Sequence, residues 1–103
     1  MRFERKHGFG KEEAISRLKA LTNYWSHRYG INSSWQGDRA IMAGKVKGLK
    51  FNGDVKVDEN QLVAEVKVGF LAEKLGGKDY VSQKLDQYLD PNVTLEELQA
   101  KIS

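Results

Sequence analysis

The sequence predicts an α+β fold in the order β-α-β-β-β-β-α, a single curved antiparallel sheet with two helices packed on one face. Three observations predict it. Apolar residues recur at steps of three and four over 11–29 and again over 78–89. Between those stretches the period drops to two. Within the period-two region one set of positions is polar or charged, as expected of an antiparallel sheet with one solvated face.

Residues 2–7 read as a short first strand, broken by Gly8-Phe9-Gly10. The first helix covers about Lys11 to Tyr29, on a stripe of Ala14, Ile15, Leu18, Leu21, Trp25 and Tyr29. Gly10 is the expected N-cap and Gly30 the expected C-cap. Glu12 and Glu13 stand in the first turn, where the helix dipole favours negative charge. Ile31, Ser33 and Trp35 then alternate with polar residues, and Gly37-Asp38 is a turn. Residues 39–46 form the next strand, with Ala40, Met42 and Val46 facing inward. After Gly48 the alternation of Leu49, Phe51, Gly53, Val55 and Val57 with polar neighbours marks another strand. Asp58-Glu59-Asn60 turns the chain into a strand with Leu62, Ala64, Val66 and Val68 inward.

Leu71, Leu75, Val81, Leu85 and Leu89 restore the helical period, with Gly76-Gly77 interrupting it. A firm helix is therefore expected over 78–89, stopped by Asp90-Pro91. Residues 1–90 form the expected domain and 91–103 a C-terminal tail. Thr94 and Glu97 have capping-box spacing, so Leu95 to Ile102 can add a short helix.

Composition limits the function classes. The 103 residues include no Cys, which excludes disulfides, thiol catalysis and thiolate metal sites. A Cys-free small domain suits a reducing compartment, and a cytoplasmic location is expected. No apolar run approaches the length of a membrane helix, and the N-terminus lacks a secretory pattern. The formal charge of +3 is uneven: residues 1–68 carry 13 basic and 8 acidic groups, residues 69–103 carry 4 and 6. A well-solvated mixed surface explains that balance.

No catalytic, cofactor-binding or metal-ligating set emerges. His7 and His27 lie on different elements at no ligand spacing. Gly8-Phe9-Gly10-Lys11 is shorter than a phosphate loop, and Glu12 and Glu13 oppose an anion there. No Ser has a nucleophile-elbow context, and the paired acids sit in turns or first helical turns. Lys50, Lys56 and Lys67, with Lys45 and Lys47 nearby, share the outer face with Asp54 and Glu65, which argues against a nucleic-acid interface. The aromatic cluster of Tyr24, Trp25, Tyr29 and Trp35 reads first as core. A sheet covered on one side can also leave an apolar groove, whose expected lining is Trp25, Trp35, Met42 and Phe51.

A set of segments carries a resemblance: His7-Gly8-Phe9 followed by Glu12-Glu13-Ala14, Trp35-Gln36-Gly37-Asp38, Gly53-Asp54-Val55-Lys56-Val57, Val68-Gly69-Phe70-Leu71, and Tyr88-Leu89-Asp90. Over about residues 2–90 the chain resembles the polyhydroxyalkanoic acid system family, small bacterial proteins linked to polyester storage granules. The resemblance supplies no catalytic residues. It implies a non-enzymatic accessory role at a granule surface or with a granule protein. Binding to a granule would need exposed apolar area, for which the candidates are Phe9, Phe70, Leu71, Leu95, Leu98 and Ile102. The alternatives are a small lipid- or hydrophobic-ligand-binding domain using the groove, and a basic nucleic-acid-binding regulator.

Overall fold

The protein is described by a computed structural model that covers residues 1–46, 48–69 and 76–101. The elements are β1 (Arg2–Lys6), α1 (Gly10–Tyr29), β2 (Asn32–Gln36), β3 (Arg39–Val46), β4 (Leu49–Val57), β5 (Gln61–Val68), α2 (Lys78–Tyr88) and α3 (Leu95–Ala100). All strand pairs are antiparallel and the sheet order is β1-β5-β4-β3-β2. The order predicted from the sequence is the order observed, with α3 as an additional short helix.

β1 and β2 lie at opposite edges of the sheet although only α1 separates them in sequence. That connection demands a long helix. Crossing four inter-strand gaps of about 4.8 Å needs roughly 19 Å, and the 20 residues of α1 supply about 30 Å at 1.5 Å per residue. The left-handed Gly30 (φ 71°) closes the helix, its N–H donating to the Ser26 carbonyl. At the other end the expectation shifts by one residue. Phe9 holds the cap position without a side-chain bond, and Gly10 is the first helical residue at φ 78°, a conformation that disfavours any side chain.

The inner sheet face buries Phe3, Met42, Phe51, Val55, Leu62 and Val66, which meet Ala14, Leu18, Leu21 and Trp25 of α1 and Val81 and Leu85 of α2. Each large side chain so buried contributes about 1.5–3 kcal/mol. Met42 pairs across the sheet with Gly53, and a Cβ at Gly53 would lie 2.7 Å from the Met42 methyl carbon. The missing side chain makes the room Met42 occupies.

Arg17 stands inside the apolar stripe of α1 and is only 3% exposed. Its guanidinium donates to the Glu13 carboxylate at 2.9 Å and to the carbonyls of Tyr88 (3.1 Å), Asp90 (3.2 Å) and Val93 (2.7 Å). The same group sits 3.9 Å from the ring centroid of Phe9. One buried cation thus bonds the carbonyl of Tyr88, the last residue of α2, and those of Asp90 and Val93 beyond it, at the end of the helix dipole that favours a cation. It also holds the chain on its way to α3. There Thr94 accepts a bond from the Glu97 N–H at 3.1 Å, the cap the spacing predicts, and Leu98 is fully buried against the body. At the β1 edge, Arg5 reaches α2 by bonds to Asp86 (2.7 Å) and Ser82 (2.6 Å).

The β2–β3 turn is fastened separately. Asp38 accepts from Lys11 at 2.7 Å and Lys56 at 2.6 Å, joining the turn to α1 and β4. Hydrogen bonds from these two ammonium groups hold its carboxyl at about 2, below its ordinary value of 3.8.

Replacing Arg17 by Met should lower stability by about 3 kcal/mol, because three carbonyls lose a charged donor in a place water reaches poorly. Urea unfolding measures this; an unchanged midpoint would refute the role given to Arg17. Asp38 binds its proton less readily when folded, so its contribution is present above about 4 and is lost as pH falls toward about 2. Asp38→Asn should therefore lower the unfolding midpoint near neutral pH and converge with the parent protein near pH 2. Parallel pH profiles would contradict that linkage.

Candidate functional site

Where α1 ends and α2 begins, the helices leave an apolar groove of about 340 Å³ over the β3–β4 end of the sheet. This lies at the lower end of the range for small-molecule sites, about 300–1,000 Å³. Val46, Leu49, Lys50, Phe51 and Val68 line it from the strands. Trp25, Tyr29, Tyr80 and Val81 line it from the helices, and Ile31 closes the end after α1. Gly76 and Gly77 face it without side chains, which keeps that wall open. Trp25 and Phe51 pack edge to face at 5.8 Å, so the deepest part is rigid aromatic surface.

The polar atoms of the groove converge on one point. The Trp25 Nε1–H donates to the Tyr80 hydroxyl at 3.2 Å, and the Tyr29 and Tyr80 hydroxyls share a bond of 3.2 Å. Burial first, and then the bond with Tyr29, push the Tyr80 phenol well above its ordinary value. Burial also acts to raise Tyr29, but bonds from Tyr80 and Arg28 outweigh it, and the net direction is down. The Arg28 guanidinium lies 5.7 Å from the Tyr29 ring centroid. The Lys84 ammonium lies 5.8 Å from that of Tyr80 and 4.7 Å from that of Tyr24.

Two of the four residues expected to line a groove do so, Trp25 and Phe51. Met42 lies deeper, 1% exposed beneath the sheet–helix contact, and takes no part. Trp35 is remote from the groove; its indole donates to Thr22 at 3.2 Å and Lys19 lies over its ring. The reason is register: Trp35 pairs with Ala40 at the opposite end of β3 from Val46.

The surface-contact candidates are placed differently from their expected exposure. Phe9 is half-buried between His7 and Arg17. Leu98 is fully buried and Leu95 half-buried, because α3 turns its short stripe onto α1. Phe70, Leu71 and Ile102 lie outside the described residues. Among the described residues Ile41, at 55% exposure on the outer face, is the exposed large hydrophobic side chain. Tyr80 and Arg28 were not legible as site residues. Tyr80 adjoins the Val81 stripe without belonging to it, and nothing in the local pattern shows that it meets Trp25 and Tyr29. Among the described residues no cluster of His, Asp and Glu could hold a metal ion, and no helix is long and apolar enough to cross a membrane.

Alkaline titration of the phenols checks this geometry. Tyr29 should ionise below the ordinary 10.0, and Tyr29→Phe should remove that early step. Tyr80→Phe should instead remove absorbance from the late limb. An early step that survives Tyr29→Phe would refute the arrangement.

Comparison with known proteins gives one result. The family model described as "Putative polyhydroxyalkanoic acid system protein" matches residues 1–93, up to the last carbonyl held by Arg17. No curated protein matches the chain, and no solved structure does. The matched span covers every strand, α1 and α2, and on that extent the chain belongs to the polyhydroxyalkanoic acid system protein family.

Proposed function

We propose that this protein is a non-enzymatic accessory of the polyhydroxyalkanoic acid system that binds an acyl or polyester chain in the groove between sheet and helices. It would work in the cytoplasm, beside the stored polymer. The observation that carries the reading is the groove itself: mostly apolar strand and helix side chains, with Lys50 among them, surround a few converging hydroxyl and indole groups. Aliphatic side chains of a polyester match the Val, Leu and Phe walls, and an ester carbonyl matches a hydroxyl donor. The groove is favoured over a flat granule contact by exposure. The described surface offers Ile41 alone as a large apolar side chain, set among charged residues, which is far less than an apolar docking patch requires.

The test is titration with a short, uncharged oligo(3-hydroxyalkanoate) methyl ester. In a Trp35→Phe background Trp25 is the sole indole and reports from the groove wall. Its emission should shift and saturate. The response should persist in high concentrations of sulfate, since apolar burial is not weakened by kosmotropic salt. Val46→Trp, which fills the groove from β3, should abolish binding of the ester followed by calorimetry. An unchanged Trp25 signal in the unblocked protein would overturn the reading.

A further inference from the structure

The groove's own hydrogen bonds do not close. Trp25 Nε1, Tyr29 and Tyr80 together hold three donor protons, and an indole N–H can only donate. Whichever tyrosine donates to the other, one phenolic O–H is left over. If Tyr29 donates, Tyr80 already accepts from Trp25 and Tyr29, and its proton is spare. If Tyr80 donates, the spare proton is that of Tyr29. Both residues line the groove. The site therefore presents one spare hydrogen-bond donor to whatever enters, beside phenolic oxygens that can still accept.

Among the described residues, the charged groups beside that donor are cations. Arg28 stands beside Tyr29 and Lys84 beside Tyr80. The ion pairs among the described residues engage Arg2, Arg5, Lys11, Arg17, Arg39 and Lys56, and none engages Arg28, Lys84 or Lys101. Lys84 is held below its ordinary value, first by burial and then by the repulsion of Lys101 and Arg28. Lys84 donates to the Gln87 amide oxygen at 3.5 Å, and among the described residues no carboxylate pairs with it; a half-buried lysine with cationic neighbours is a cost to the fold that an anion would relieve.

Resting on the groove reading above, we infer that the occupant is a single acyl chain bearing a carboxylate, its alkyl part along Val46, Leu49 and Phe51 and its head between the Tyr29–Tyr80 hydroxyls and the Arg28 and Lys84 cations. A carboxylate accepts the spare O–H and carries the charge the cations lack. An amine would meet two cations and a donor, and a neutral alcohol would satisfy the donor alone.

Calorimetric titration with octanoate, octanol and octylammonium tests this, using the full chain. Octanoate should bind roughly tenfold or more tighter than octanol, and octylammonium should be the weakest. In Arg28→Gln/Lys84→Gln, which removes the two cations beside the Tyr29 and Tyr80 rings, octanoate should lose its advantage over octanol. Equal binding of octanoate and octanol by the unaltered protein would overturn the carboxylate inference and leave the apolar groove standing. Binding of none of the three would overturn both. A preference for octanoate that survives the double variant would assign the head group elsewhere and overturn the site.

Discussion

The buried guanidinium of Arg17 is the constraint on which the arrangement of helices depends. A sheet with two edges and one covered face needs its covering helices held in register with each other, and apolar contact alone is non-directional. Arg17 supplies direction. It fixes the end of α2 and the start of the path to α3 against the middle of α1, through carbonyls at Tyr88, Asp90 and Val93. Its charge is matched by Glu13 one turn earlier and its flat face by Phe9. A lysine has one compact donor head and could not serve three carbonyls and a ring in these directions.

The groove follows from that anchoring. With α2 fastened at its C-terminal end, its N-terminal end lies over the far part of the sheet beside Tyr29, the last residue of α1. The wall there is built partly from Gly76 and Gly77, which contribute no side chains. The space they leave is bounded by Trp25 and Phe51, whose edge-to-face contact resists collapse. Two tyrosine hydroxyls stand at the helix side of that space, and mostly apolar side chains at the sheet side.

Much of this was legible in the sequence. The change of period from helical to alternating and back located α1, the sheet strands and α2, since each element must present one face to a shared core. Gly30, Asp58-Glu59-Asn60, Asp90-Pro91 and Thr94 marked their boundaries by local backbone chemistry. Two of the groove's lining residues, Trp25 and Phe51, were legible because both occupy inward positions of strongly periodic elements. Trp35 and Met42 occupy inward positions too. Periodicity reports which face a residue is on and is silent about how far along the element a cavity lies.

The elements, their order and the identity of the apolar faces follow from spacing within single segments, so they could be read before any contact was known. The role of Arg17 emerges in the folded chain alone, as a charge within an apolar stripe whose three carbonyl partners lie more than 70 residues away. The tertiary structure also decided that Leu98 belongs to the core, and that Trp25, Tyr29 and Tyr80 meet at one point with cations beside them. Both outcomes rest on contacts between elements distant in sequence. Hydrogen-bond balance and charge balance are properties of what the folded chain brings together, and no local pattern encodes them.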